Sequence, residues 1–159
     1  MKTILAPVDF SEVSKSVVSE AAALARAFDG RVVLLSVVQP PVVLGEYAAM
    51  MDVAQIIAAG EKNATRQLES LEDKLKNQFI KTKTVQVTGS PVVHIIEQAE
   101  MNEADYIVMG SHGHTAIYDL LVGSTTHGVL MRSKCPVIIV PAMKDDSKPR
   151  KKEERATTV

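Results

Sequence analysis

The sequence predicts an α/β fold, a doubly wound open sheet of five parallel strands with helices on both faces. Three observations carry this. Five short, mostly β-branched runs alternate with longer amphipathic stretches. The first, second, fourth and fifth runs are nearly continuous in apolar character, as strands covered on both faces should be. The connections are long enough to bring consecutive strands back parallel through right-handed crossovers.

The first run is Ile4 to Val8, followed by a helical pattern in which Val13, Val17, Ala21, Leu24 and Phe28 share one face. Ser11 suits its N-cap and Gly30 punctuates its end. Arg31 to Val38 (RVVLLSVV) is the second strand, stopped by Pro40-Pro41. A second helix runs from about Asp52 to Asn77, with Ala64, Leu68, Leu71 and Leu75 facing inward. Thr84 to Thr88 is the third strand. Ser90-Pro91 opens the third helix, since Ser suits a cap and Pro the first helical position, and Ile95, Ile96 and Ala99 give it an apolar side. Asp105 to Gly110 is the fourth strand. A fourth helix starts near Ser124 and ends before Lys134, and Pro136 to Pro141 closes the sheet.

Composition narrows the function. The 159 residues fit one domain, with 46% apolar and 23% charged residues and a formal net charge of -1. There is no global field to draw in nucleic acid or a membrane surface. Aromatics are 4% with no Trp, which removes most base-stacking platforms. The single cysteine, Cys135, allows no intrachain disulfide. No apolar stretch is long enough to span a bilayer, and MKTILAPVDF has too short an apolar run for a signal peptide. A cytoplasmic location is the expectation. Residues 1–142 read as the domain. The tail 143–159, with six Lys/Arg against four Asp/Glu, reads as a disordered, solubilising end.

In doubly wound sheets, ligands sit at the carboxyl ends of the strands, near the point where strand order reverses. The informative stretch lies in that position after the fourth strand: Gly110-Ser-His-Gly113, nine residues, then Gly123-Ser124-Thr125-Thr126. Glycines let backbone approach a ligand closely, and hydroxyls at a helix start stand beside free N–H groups, so the combination is a phosphate cradle. Singly, each feature is equally a tight turn or a cap; together, at this spacing, they favour phosphate. Neither a Walker loop nor the dinucleotide GxGxxG is present.

The spacing G-x2-G-x9-G-[ST] resembles the nucleotide loop of the ATP-binding branch of the universal stress proteins. ILAPVDFS (Ile4 to Ser11), LLSVV in the second strand, the turn Thr88 to Pro91 and CPVIIVP (Cys135 to Pro141) are similar to that family as well. The resemblance covers residues 2 to about 142. It implies a strand order 3-2-1-4-5 and an adenine nucleotide (ATP, or AMP or ADP), with Mg²⁺ expected alongside the phosphates of ATP. Pro7, Val8 and Asp9 would lie against the adenosine, Asp9 hydrogen-bonding the nucleoside, and Val37 would meet the adenine edge with its backbone. Met109 and Gly110 would lie along the ribose; Gly113, Gly123, Ser124 and Thr125 would bind phosphate, with His112 beside it. The last strand, Val137, Ile138, Ile139 and Val140, would be an apolar edge that pairs with its own copy in a homodimer.

Several residues invite other readings. His112 and His114 are a weak metal pair without further ligands. His127 reads as a helix-surface residue and His94 and Cys135 as structural, while Met50 and Met51 would cover the nucleotide or pack their loop. The loop holds no Lys or Arg, and no general base stands out. A nucleotide-binding regulatory protein is therefore the first reading. The alternatives are a slow ATPase or a phosphotransferase modifying itself at Ser124 or Thr125, and a structural dimer with an empty cleft.

Overall fold

A computed structural model describes residues 1–42, 52–112 and 122–142. Strands β1 (Thr3–Pro7), β2 (Arg31–Val38), β3 (Lys81–Thr88), β4 (Tyr106–Gly110) and β5 (Val137–Val140) alternate with helices α1 (Glu12–Ala27), α2 (Val53–Lys76), α3 (Pro91–Met101) and α4 (Ser124–Leu130). The strands form one sheet in the order β3-β2-β1-β4-β5, with every neighbouring pair parallel. This is the doubly wound architecture that the alternating pattern predicts.

Burial on both faces explains the unbroken apolar runs. Ile4 and Ala6 of β1 and Val32 and Leu34 of β2 face α1 and α2, meeting Val17, Ala21, Ala25, Leu68 and Leu75. The intervening Leu5, Val33 and Leu35 face α3 and α4, meeting Ile95, Ala99 and Val129. Side chains alternate across a strand, so a strand sandwiched between helix layers has no polar face to show. The core residues Ile4, Leu5, Leu34, Leu35 and Ile107 are fully buried.

Element ends show where local rules gave way. β3 begins at Lys81, three residues before the expected Thr84, because it is an edge strand. Lys81 and Lys83 are exposed and alternate with half-buried Thr82 and Thr84, a polar pattern that continuous hydrophobicity does not detect. Ser11 does sit at the N-cap of α1, yet its side chain makes no cap bond; its hydroxyl donates to Asp9 Oδ1 at 2.6 Å. Ser90 likewise occupies the N-cap of α3 without a side-chain bond, with Pro91 at the start of the helix.

Gly30 follows α1 for a different reason than helix termination. The left-handed residue there is Asp29, at φ 45°. A Cβ on Gly30 would stand 2.5 Å from the Lys2 carbonyl oxygen, so this glycine is set by close approach of β1 to the α1–β2 turn.

Along β5, which pairs with β4 from Ile107↔Val137 to Gly110↔Val140, the side chains are less open than an apolar edge suggests. Val137, Ile138 and Ile139 are half-buried and Val140 is buried, because Ile138 packs toward the α1 and α2 layer and Val137 toward α3 and α4. Among the described residues β5 is the last strand of the sheet, with β4 as its strand neighbour. Among the described residues no helix is long and apolar enough to cross a membrane. Tail residues 143–159 lie outside the described residues.

Candidate functional site

Strand order reverses between β1 and β4: from β1 the chain winds outward through β2 to β3, then crosses back to β4 and β5. At the carboxyl ends of these strands lies a cleft of about 520 Å³, within the ~300–1,000 Å³ usual for small-molecule sites. Pro7, Val8 and Asp9 line it from the end of β1, and Val37 from β2. Met109, Gly110 and His112 line it from β4 and the turn beyond, and Gly123, Ser124 and Thr125 from the start of α4. Ten residues scattered through the sequence thus meet around one space. Gly113 lies outside the described residues, as do His114, Met50 and Met51.

The turn after β1 is held by Asp9. Its Oδ1 accepts from the Ser11 amide at 3.0 Å, the Ser11 hydroxyl at 2.6 Å and the Ser14 hydroxyl at 3.0 Å. One carboxylate oxygen thus ties the end of β1 to the N-cap residue and the first turn of α1. The residue between them, Phe10, takes φ 62°, a conformation costly outside glycine and tolerated where surroundings fix it. This network fixes one oxygen of Asp9 while the residue lines the cleft.

The glycine loop is pinned at both ends. The Gly123 amide donates to the Ser111 carbonyl at 2.7 Å, and a Cβ on Gly123 would lie 3.3 Å from that same oxygen. Gly110 is required by packing, since a Cβ there would come within 2.7 Å of Val13 Cγ1. Thr126 is buried and its hydroxyl donates to the Gly110 carbonyl at 2.8 Å. Buried Ser111 accepts from the Ala142 amide at 3.1 Å and donates its own amide to Val140. The start of α4, the end of β4 and the end of β5 are one knot. Ser124 is exposed and Thr125 half-buried, and neither hydroxyl has a hydrogen-bond partner among the described residues.

Thr126 stands in the stretch that the sequence marks as a cradle, but its bond to Gly110, like that of Ser111 with Ala142, escapes sequence reasoning because a buried hydroxyl acts through neighbours brought in by the fold. So do the cleft walls Val13, Leu35, Pro91 and Ile95, and Gln39 at its rim. Their only sequence signal is position, at or just beyond a strand end or on the first turns of the next helix.

The remaining polar candidates separate from the cleft. His94 Nδ1 meets Glu97 at 2.8 Å, and its ring lies over Gly89, at φ 146°, where a Cβ would come within 2.5 Å of Nε2. His127 is exposed and does not line the cleft. Cys135 is half-buried and packs on the α3 and α4 side. Among the described residues, no three His, Cys, Asp or Glu side chains group as a metal site; His112 Nδ1 lies 3.2 Å from the Ser111 hydroxyl.

Electrostatically, the described lining holds one carboxylate, Asp9, one imidazole, His112, and no Lys or Arg. A hydrogen bond from Lys2 holds the Asp105 carboxyl below its usual range, helped by the Thr3 amide, and the same pairing pushes Lys2 up. Lys134 is pushed up by Glu100.

Residues 1–141 match the universal stress protein family. Universal stress protein MJ0577 of Methanocaldococcus jannaschii is 29% identical over 152 residues, spanning 87% of this chain and 94% of that one. Universal stress protein Sll1654 of Synechocystis is 32% identical over 141 residues, 88% of this chain and 85% of the relative. The solved structure of MJ0577 superimposes with a TM-score of 0.78, covering 89% of this chain and 96% of that one. A universal stress protein solved in complex with cAMP superimposes at 0.65 with 25% identity, covering 87% and 96%. The chain belongs to the universal stress protein family.

Proposed function

We propose that the chain is a regulatory protein that binds an adenine nucleotide, ATP with Mg²⁺ foremost, in this cleft and acts as a homodimer. The observation that carries the reading is convergence. Pro7, Val8, Asp9, Val37, Met109, Gly110, His112, Gly123, Ser124 and Thr125 surround one space of nucleotide size at the switch point of the sheet. The apolar walls Val37, Leu35, Ile95 and Met109 suit a base, and the hydroxyls of Ser124 and Thr125 suit phosphate. Gly123 keeps the approach to the cradle low. A relative with bound cAMP supports the same class of ligand. The dimer reading is supported by the outer edge of β5, whose backbone pairs with nothing beyond β4 within the described residues; joining two such edges about a two-fold axis would satisfy both.

Denaturing extraction of the freshly purified protein, with chromatography of what is released, tests the site. Recovery of an adenine nucleotide near one per chain is the expected result. A nucleotide-free extract, with no thermal shift on adding ATP and Mg²⁺, would remove it. Sedimentation of the same preparation at micromolar concentration reads the dimer.

A further inference from the structure

We infer that the turn between α2 and β3, at the opposite end of the sheet from the cleft, docks on an anionic lipid surface with Phe79 as its anchor. The inference does not depend on the reading of the cleft.

Phe79 combines two features that the fold does not need. At the end of α2 the Phe79 amide donates to the Lys76 carbonyl at 2.8 Å, and the Ile80 amide to the Leu75 carbonyl at 3.0 Å. This pair of bonds sets Phe79 at φ 60°, the left-handed position that glycine usually fills. α1 and α3 close in the same way, with Ala25 accepting from Gly30 and Ala99 from Ala104. Their left-handed residues are Asp29 and Glu103, polar side chains that water solvates. Phe79 is instead a large apolar ring, 97% exposed, while Ile80 beside it is buried in the core. Backbone strain and an unsheltered ring thus fall on one residue, and neither serves packing.

The surroundings of the ring are apolar and basic. Arg26 of α1 donates to the Gln78 side chain, and Lys81 Nζ lies 3.7 Å from Met1 Sδ. Met1 and the end of α1 therefore stand beside the turn, and there Met1 and Phe28 are further exposed apolar side chains. Residues 74–83 (KLKNQFIKTK) hold four Lys and no acid. The acids next to them are Glu72, which Lys76 meets at 2.9 Å, Asp73, and Asp29 of the α1–β2 turn. Lysines also suit a helix C-terminus and an edge strand, roles that account for the cations but not for Phe79.

A ring that stands clear of its own chain enters a partner rather than receives one. Two copies meeting here about a two-fold axis would set these lysines against themselves. A protein partner would need a cavity shaped to the ring as well as an acidic rim. An anionic bilayer accepts the ring without a matching pocket, leaves the ammonium groups of long Lys side chains among the headgroups, and attracts each nearby cation. With a formal net charge of -1 there is no long-range pull, so the contact is local and weak. The turn leads into β3, the strand at the opposite edge of the sheet from β5, so docking leaves β5 uncovered.

Co-sedimentation of the full chain with vesicles of phosphatidylcholine alone, and of equimolar phosphatidylcholine and phosphatidylglycerol, tests this. The anionic vesicles should bind the parent at least about tenfold better than the neutral ones. Phe79→Gly should weaken that binding by about fivefold or more while Tm holds or rises, since glycine suits the left-handed position. Lys81→Gln should weaken it by roughly twofold to fivefold. A parent that binds neither vesicle, or both equally, would overturn lipid docking and leave an acidic protein as the partner to seek. Phe79→Gly binding as well as the parent would remove the ring as anchor. A fall of several degrees in its Tm would assign the ring to the fold and overturn the inference.

Discussion

At the amino ends of the strands, polar groups are committed to one another; at the carboxyl ends, several are not. Lys2 meets Asp105 at 2.7 Å, and the Thr3 amide donates to the same carboxylate at 2.8 Å. Arg31 donates to the Thr3 hydroxyl and the Asn102 carbonyl, and Lys83 to the Asn102 side chain, whose amide donates on to Gln98. Across the sheet, the hydroxyls of Ser124 and Thr125 line the cleft with no partner among the described residues. Both ends are built from the same strands, so the sheet itself cannot be the cause. The difference lies in the turns: the lower end closes helices back onto strands, and the described turns of the upper end border a cleft. One end is tied together by its own polar groups, and the other surrounds a cleft.

The sharpest way to break that comparison is to disturb the lower end. Gly30→Ala places a Cβ 2.5 Å from the Lys2 carbonyl oxygen, a backbone atom that cannot turn aside as a side chain would. The expected cost is about 2–3 kcal/mol, read as a drop of roughly 4–12 °C in Tm for a chain of this size. Nucleotide affinity, measured well below the lowered Tm, should change little. A Tm within a degree of the parent would mean that the α1–β2 turn shifts freely against the start of β1.

A smaller effect on stability and a larger one on binding are expected from Thr126→Val. The change keeps shape and removes the hydroxyl that ties α4 to the Gly110 carbonyl. Loss of one buried hydrogen bond costs about 1 kcal/mol. Because the same bond holds the start of α4 beneath the cleft, adenine-nucleotide affinity should fall by roughly tenfold, as expected when support behind a site is loosened. Equal losses in Gly30→Ala and Thr126→Val, in both stability and affinity, would erase the distinction between the two ends.

How far this division could be read from sequence depends on the range of each interaction. β1, β2, β4 and β5 were legible because burial on two faces leaves a local mark, an unbroken apolar run. The first half of β3 was not, since an edge strand alternates Lys with Thr and resembles a loop. The glycine loop was legible through its spacing, which fixes Gly110 and Gly123 relative to a strand end and a helix start. Ser111 and Thr126 were not, because their bonds run to Ala142 and Gly110, contacts that exist only once three elements meet. Asp9 stood out as an acid at a strand end, but its bonds to Ser11 and Ser14 depend on the left-handed turn at Phe10, which no residue preference announces. Gly30 was correctly marked as a boundary and assigned the wrong physics.

The smallest effect concerns charge at the lower end, and pH separates it from packing. Asp105 has its ionisation lowered by Lys2 and the Thr3 amide, and Lys2 has its own raised by Asp105. A carboxyl with a depressed folded-state value contributes stability that is complete above its unfolded value, about 3.9, and drains away as pH falls through the lower folded value. The lysine works in the other direction, its contribution disappearing as pH rises through its raised folded value. The pair therefore stabilises across the neutral range and fades at both extremes. Asp105→Asn keeps an acceptor for the Thr3 amide and removes the charge, so it should lower Tm by only roughly 1–3 °C near neutrality, as befits a surface pair. Thermal scans of parent and variant should converge as the buffer is taken below about pH 4, where the carboxyl takes up its proton first in the unfolded chain and, further into acid, in the folded one. A gap that persists undiminished into acid would assign the loss to packing around Asp105 and remove ionic pairing from what sets the lower end apart.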